Sequence, residues 1–404
     1  MILAGGNDQA ALIQELRKFF KGDVHIILID MSTNVRAIKY ADTFLPISTM
    51  DKDAVLEAAQ KEKIDYILTA CGDQPLSTMA YVSAKMGIPS YLSEQDVQNL
   101  TNKRYMKDIM VKNDIPTAKH VYINKFWKKE DISNISYPLV VKPVDSNGSK
   151  GVKKVEKESE LISALDEAFQ YSISKDVIVE EYKEGEELSV DVYIEGTKAK
   201  VLLVTNSKKI KENIDSFTII QSYYSPNVLY NEERVQEIVQ QITDVFQLHD
   251  TPLLVQMIKK GNEYYVVEFS ARMGGGSKYN LIERLTGVNI MEVYVKMVMG
   301  EKPHVNPQKI YNNAIMNYVY CSPGKYCSIQ GFDECINKGI ILDYFTYRMP
   351  NSIIEKSTTS SDRVAGFLVV GNDEEEVNKK MNEANSQLKV LNENGDDIMR
   401  HDLF

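Results

Sequence analysis

The segment Val266-Val-Glu268-Phe-Ser270-Ala-Arg272 alternates in side-chain character, and a strand turns every second side chain to one face. Glu268, Ser270 and Arg272 therefore share a face, and the glycine run Gly274, Gly275, Gly276 follows at once with Ser277 beyond it. An apolar segment from Leu253 to Ile258 leads into it through Lys259-Lys260-Gly261-Asn262-Glu263, which reads as a hairpin. With Gly261-Asn262-Glu263 as the loop, paired residue numbers sum to 524 and Gln256 stands opposite Glu268. Two oxygen donors beside a guanidinium suit Mg²⁺ held between a carboxylate and phosphate oxygens, with the arginine forking onto a phosphoryl group. The plainer alternative is a surface hairpin on which Glu268 and Arg272 pair with each other.

Two further stretches bear on the same chemistry. Pro138-Leu-Val-Val-Lys142 is an apolar run ending in a lysine, followed by a loop with Ser146, Gly148, Ser149, Lys150 and Gly151 and then more apolar residues. A loop of that composition suits phosphate. It joins two strand-like segments rather than feeding a helix, so it is not the glycine-rich turn of a P-loop. In Glu187-Leu-Ser189-Val-Asp191-Val-Tyr193-Ile194 the polar side chains again take one face while Leu188, Val190, Val192 and Ile194 take the other.

These segments need a scaffold, and 404 residues supply two or three domains, each large enough to bury an interior. The chain is 43% hydrophobic and 26% charged, an ordinary globular composition. A net charge of −10, with basic residues interleaved among acidic ones, argues against a nucleic-acid surface and toward small-molecule partners. Strand-like residues follow Met1 directly and the apolar runs are too short to span a bilayer, so a cytoplasmic protein without membrane contact is expected. Cys71, Cys321, Cys327 and Cys335 lack the spacing of a zinc site or disulfide framework and read as reduced thiols.

The first hundred residues alternate strand-like and helix-like segments: Ile2 to Ala4, a helix near Gln9 to Phe20, Val24 to Ile29, a helix near Lys52 to Glu62, and Tyr66 to Ala70. That rhythm predicts β-α-β units and a parallel sheet. The turn Gly5-Gly6-Asn7-Asp8-Gln9 lacks the third glycine of a dinucleotide fingerprint and reads as a tight strand-to-helix turn. A capped helix from about Leu100 to Asn113, with Pro116 beyond, marks one boundary, and Lys302-Pro303 with Pro307 marks another. Between them lie β-branched strands, a helix near Glu158 to Tyr171 and another near Glu232 to Phe246. The last hundred residues mix strands at Asn313 to Tyr320 and Val364 to Val370 with a helix from Asp373 to Leu388, an α+β pattern.

Taken together, the lysine-proline and Gly/Ser loop, then Glu180-Glu181-Tyr182-Lys-Glu-Gly185-Glu-Glu187-Leu-Ser189-Val-Asp191, then Glu268-Phe-Ser-Ala-Arg272, resemble the ATP-grasp superfamily in order and spacing. The resemblance implies an α/β and α+β multidomain fold. It divides into a Rossmann-like, parallel-sheet pre-ATP-grasp domain at 1–100, an ATP-grasp core at 101–300 whose two subdomains clamp ATP, and a C-terminal α+β domain at 301–404. It implies that Lys103 and Lys142 contact nucleotide phosphates and that the loop with Ser146, Gly148, Ser149 and Lys150 closes over them. Glu180, Glu181 and Tyr182 would form the hinge beside adenine, with backbone groups reading its edge, and Glu187 would accept the ribose hydroxyls. Gln256 and Glu268 would hold Mg²⁺, or Mn²⁺ in its place, with Ser270 the weakest of the three ligand candidates. Arg272, Lys142 and Glu268 would carry the phosphoryl chemistry. The chain departs from the family pattern at two positions, Ser270 where asparagine is common and Gln256 where glutamate is common, and the second leaves a less negative metal site with one carboxylate.

The family's chemistry is attack of a carboxylate on the γ-phosphate of ATP, then displacement of phosphate by an amine. Tyr320 to Phe332 and Thr359 to Gly371 are similar to the C-terminal domain of bacterial L-amino-acid ligases, so the resemblance covers nearly the whole chain. Gly274, Gly275, Gly276 and Ser277 would approach the substrate, since glycine lets backbone N–H groups come close to an anion. Tyr223, Tyr224 and Pro226 could line a substrate pocket or simply pack. The expected function is an ATP-dependent carboxylate-amine ligase releasing ADP and phosphate, acting on a small acid or amino acid, with a homodimer as the expected assembly. A bicarbonate-activating enzyme and a nucleotide-binding protein without turnover are the alternatives.

Overall fold

A computed structural model describes residues 1–145, 151–210, 218–225, 230–355 and 359–404. At the N-terminus, β1 (Ile2–Leu3), β2 (Ile27–Ile29) and β3 (Thr43–Leu45) form a parallel sheet in that order. Helices α1 (Asn7–Phe19) and α2 (Lys52–Glu62) connect and flank these strands. The segment expected as a strand at Tyr66 to Ala70 contributes only a parallel bridge of Leu68 to Ile2. Leu68 N–H donates to Met1 and its carbonyl accepts from Leu3, after which the chain turns away at Gly72 into α3 (Asp73–Met86). Then come α4 (Glu94–Thr101), started by a Ser93/Asp96 capping box, and α5 (Lys103–Lys112), capped by the Asn102 side chain.

The middle of the chain builds a small antiparallel sheet in the order β4 (His120–Asn124), β7 (Asp176–Glu181), β5 (Leu139–Pro143), β6 (Lys153–Val155). Helix α6 (Glu158–Tyr171) covers it, and Leu161, Leu165 and Ala168 close a core on Leu139, Val141, Val177 and Val179. Beside it lies an eight-stranded sheet built of β8 (Glu186–Glu195), β9 (Lys198–Lys209), β10 (Ile219–Tyr224), β11 (Thr251–Lys260), β12 (Glu263–Ser270), β13 (Asn313–Val319), β16 (Asp343–Thr346) and β18 (Ala365–Gly371). Its strand order is β12-β11-β8-β9-β10-β13-β18-β16, so the chain passes residue 301 and re-enters the same sheet. Helix α7 (Glu232–Val245) packs on β9, and α8 (Lys278–Thr286) and α9 (Ile290–Val298) follow β12. The pairs β14 (Gly324–Lys325) with β17 (Ile353–Ile354), and β15 (Ser328–Gln330) with β19 (Lys389–Leu391), join α10 (Phe332–Asn337) and α11 (Glu374–Gln387) at the C-terminal end.

The N-terminal sheet is buried on both sides. Leu3, Ile29, Val55 and Met79 share a core with Val190, Val255, Val266 and Phe269, while Leu12, Ile13 and Leu28 share another with Leu281, Tyr294 and Met316. Each fully buried aliphatic side chain stabilises by about 1.5–3 kcal/mol. The loops leaving the N-terminal sheet are thus fixed against the end of β12, where the candidate residues lie.

Candidate active site

Gln256 is paired directly with Glu268, and Leu254 with Ser270, so Gln256, Glu268 and Ser270 line one surface. The turn is shorter than expected. Lys260 pairs with Glu263 across Gly261 and Asn262, and a bulge between Val266 and Glu268 then restores the expected register. Gly261 at φ 60° meets the requirement of a two-residue hairpin turn, and the bulge re-aims the strand just before Glu268. Lys103, in the first turn of α5, brings its ammonium to 3.9 Å from Glu268. Asp73, Lys103, Gln256, Glu268, Ser270 and Arg272 line a cleft of about 30 Å³, floored by Leu100, Met106 and Phe269. The Glu268 side chain, 42% exposed, remains open to the cleft mouth.

Arg272 is held by a residue the sequence reading did not single out. Asp73, in the first turn of α3, receives the guanidinium through Nε at 2.8 Å and Nη2 at 3.1 Å, and Ser270 Oγ donates to the same carboxylate at 2.5 Å. Nη1 donates to the Met273 carbonyl at 2.9 Å. Burial pushes the Asp73 carboxyl up, but Arg272 and Ser270 outweigh it and lower it to about 2. The helix N-terminus favours the same charge. Ser270 is therefore engaged as a donor to Asp73. The signal available in the sequence was the position of Asp73 at a strand-to-helix turn, beyond the carboxyl end of a parallel strand, where ligands of α/β sheets gather.

Lys142 and Glu180 belong to a second, buried charged cluster. Val140 is opposite Glu180 in the β5/β7 ladder, so Lys142, two residues on, shares its face. The Lys142 ammonium lies 2.5 Å from Glu180 Oε1, and Lys107 lies 2.9 Å from Glu180 Oε2. All three side chains are buried. Burial raises the Glu180 carboxyl, yet the two lysines lower it to about 2; burial pushes the Lys107 ammonium down despite Glu180. Two cations on one carboxylate leave a net positive charge, which a phosphate would balance. Lys107, also missed, sits one helical turn after Lys103, and this four-residue spacing was its sequence signal. It also donates to Thr117 Oγ1 at 2.6 Å, which donates to the Val266 carbonyl at 2.8 Å, tying α5 to β12.

At the hinge after β7, the N–H groups of Glu181 and Tyr182 are taken by the Lys119 and Pro138 carbonyls. The Glu181 side chain accepts from Lys183 at 2.9 Å and that of Glu187 pairs with Lys209. The Tyr182 ring lies under the Lys154 ammonium, 4.1 Å from its centroid. Ser146, Gly148, Ser149 and Lys150 lie outside the described residues, as does Pro226. The loop's base is anchored by Asp145, whose carboxylate accepts from the backbone N–H groups of Ile173 and Ser174 and from the Ser172 hydroxyl. Tyr223 and Tyr224 are half-buried on β10, beside Ile315 and Ala314 of β13.

Gly274 to Ser277 pass between the N-terminal and C-terminal parts of the chain. A Cβ on Gly274 would stand 2.8 Å from Asp191 Oδ1, which is the buried partner of Lys278 at 3.1 Å. A Cβ on Gly276, at φ 73°, would stand 2.7 Å from Arg363 Nη1. Ser277 N–H donates to Asp8 Oδ1 at 3.1 Å, and Ser277 Oγ accepts from Asn7 and Tyr347. Cys71 donates to the Gly274 carbonyl at 3.4 Å, and burial pushes its thiol well up. The arrangement thus places an acidic and amide oxygen pair, Lys103 and Arg272 around one cleft, with Lys107 and Lys142 buried on Glu180 as a separate cationic cluster.

No described helix is long and apolar enough to cross a membrane. No cluster of three or more His, Cys, Asp or Glu suited to a metal occurs among the described residues. A glutamate with a glutamine suits Mg²⁺ once phosphate oxygens complete its octahedron, and does not suit a cation caged by protein alone.

Residues 135–280 match the ATP-grasp domain family. The chain is 25% identical over 362 residues to the phosphoribosylamine–glycine ligase of Pyrococcus furiosus, covering 85% of this chain and 79% of that protein. It is 24% identical over 265 residues to the carbamoyl phosphate synthase large chain of Clostridium perfringens, 64% of this chain but 24% of that protein. Its fold is similar to the crystal structure of L-amino acid ligase from Bacillus licheniformis, with a TM-score of 0.78 over 97% of this chain and 98% of that one at 19% identity. The parallel N-terminal sheet, the paired sheets around the cleft and the family match agree: this enzyme carries an ATP-grasp domain over residues 135–280, and nearly its whole length is similar to ligases built around that domain.

Proposed function

We propose that this enzyme activates a small carboxylic acid with ATP and joins the acyl group to an amine, releasing ADP and phosphate. The observation that carries the proposal is the cleft in which Lys103, Gln256, Glu268 and Arg272 converge. In this reading Lys103, Lys142 and Lys107 neutralise the nucleotide phosphates. Gln256 and Glu268 would hold Mg²⁺, which would supply screening of the phosphate charge against the approaching carboxylate. Arg272 forks onto the phosphoryl oxygens during transfer, which suits a guanidinium already fixed in orientation by Asp73. Glu181, Tyr182 and Glu187 border the nucleoside, and Gly274 to Ser277 border the acyl group. A homodimer is part of the proposal.

The test is ADP and phosphate release from Mg-ATP across a panel of amino acids, small carboxylic acids and bicarbonate, each with and without amines. Release that requires both an acid and an amine supports the proposal. Bicarbonate alone sufficing would favour a carboxyphosphate reaction instead, and tight ATP binding with no release on any member would favour a protein that binds nucleotide without turnover.

A further inference from the structure

Two charged groups beside the glycine run are not used by the phosphoryl chemistry. Arg363, just before β18, lies flat on Tyr318 with its guanidinium carbon 3.6 Å from the ring centroid. Its Nε donates to Tyr320 Oη at 3.1 Å, and Nη2 donates to the Ile219 carbonyl and Ser360 Oγ, both at 3.3 Å. These acceptors are neutral, and among the described residues no carboxylate pairs with Arg363. Nη1 points at Gly276, which has no side chain to meet it.

Asp8, in the first turn of α1, is the complement. Its Oδ1 accepts the Ser277 N–H, and among the described residues no lysine or arginine pairs with it. A Cβ on Gly275 would be 3.9 Å from Oδ2, so this carboxylate and Arg363 look onto neighbouring residues of the same glycine run. Burial pushes the Asp8 carboxyl up, against the Ser277 and Gly276 N–H groups and the pull of both Arg363 and Arg272. Asp8 therefore lies within electrostatic reach of both guanidiniums. A half-buried cation and a half-buried anion, neither in a direct ion pair among the described residues and set apart by glycine, form an arrangement that a bound zwitterion completes.

We propose that this junction is the amine-acceptor subsite and takes an α-amino acid, its α-carboxylate on Arg363 and its α-amino group on Asp8, with the nitrogen turned toward Arg272. The assignment rests on the ligase reading. In the joining step the nitrogen lone pair attacks the acyl carbon, the C–N bond forms, and the bond from that carbon to the phosphate oxygen breaks. Of the two protons the ammonium loses, one passes to Asp8 and on to solvent, and the other leaves on the phosphate. Simple amines lack the group that Arg363 would hold.

The test is calorimetric titration of the full-length protein, with Mg²⁺ and a non-hydrolysable ATP analogue, using the twenty standard L-α-amino acids, their α-amides and the matching decarboxylated amines. At least one amino acid should bind, with its amide and its decarboxylated amine weaker by about 10–100-fold, the range of a charge-assisted hydrogen-bond pair. Arg363→Gln should erase that preference, and Arg363→Lys should restore only part of it because the fork is lost. Asp8→Asn, which keeps an acceptor for Ser277 N–H, should weaken the amino acid but not its des-amino analogue. Equal binding of amino acid and amide, preference retained in Arg363→Gln, or no amino acid binding at all would overturn the proposal. Acid-dependent hydroxamate formation, with hydroxylamine as the amine, separately tests the ligase reading, because that nucleophile has no carboxylate.

Discussion

Replacing Asp73 by Asn should loosen the arginine on which phosphoryl transfer is proposed to depend. The carboxyl of Asp73 is lowered from 3.8 to about 2 in the folded protein, and at about 1.4 kcal/mol per pH unit that gap corresponds to about 2.5 kcal/mol. Because the folded value is depressed, this stabilisation is complete above pH 3.8 and is lost as pH falls through about 2. Asp73→Asn keeps the shape and one acceptor oxygen but removes the charge, so chemical denaturation at pH 7 should show a deficit of about 2 kcal/mol relative to wild type. That deficit should shrink steadily in the same measurement as the pH is lowered toward 3. In steady-state assays at pH 7 the variant should lose about 10–100-fold in kcat, with the KM for ATP changed little, because Arg272 orientation matters most in the transition state. A variant with wild-type stability at pH 7, or a deficit that does not shrink in acid, would refute the charge-based account of the Asp73 and Arg272 pair. Unchanged kcat would refute the role given to Arg272.

Glu268→Ala removes the metal's single proposed carboxylate and should abolish ADP release while leaving unfolding within about 1 kcal/mol of wild type, since the side chain is open to the cleft; near-normal turnover would contradict the metal assignment. Gln256→Glu should lower the Mg²⁺ concentration needed for half-maximal activity several-fold, measured by metal titration of the rate, because it adds a second carboxylate to the pair. Glu180→Gln leaves Lys107 and Lys142 buried without their shared anion and should destabilise by about 3–5 kcal/mol in urea at pH 7. Gel filtration with light scattering should give twice the chain mass if the homodimer proposal holds, and the monomer mass would end it.

The fold was legible where periodicity was strong. Helix α6 and the start of α7 fall where the apolar spacing placed them, and the pairing of Gln256 with Glu268 followed from strand alternation. The hairpin loop itself was misread by one residue, and the bulge before Glu268 compensates, a local feature that no alternation rule contains. The strand expected at Tyr66 to Ala70 was reduced to a single bridge because the chain leaves the sheet edge toward α3. Local patterns singled out Lys142, Glu268 and Arg272, and the family resemblance added Lys103. They could not carry Asp73 or Asp8, whose partners Arg272 and Ser277 lie 199 and 269 residues away, or Arg363, which reaches the Ile219 carbonyl 144 residues away; these groups meet only when both faces of the N-terminal sheet are covered. Ser270, the weakest ligand candidate in the sequence, is engaged as a donor to Asp73 in three dimensions, which leaves Gln256 and Glu268 as the proposed metal pair.

The most direct test of the central claim follows oxygen. With the acid identified from the release panel labelled with ¹⁸O in its carboxylate, the enzyme should transfer one ¹⁸O into inorganic phosphate for each molecule of product formed, because the carboxylate attacks the γ-phosphorus and that oxygen leaves with phosphate. Phosphate carrying no label from the acid, with product formed at the same rate, would contradict acyl phosphate formation and with it the mechanism proposed for this site.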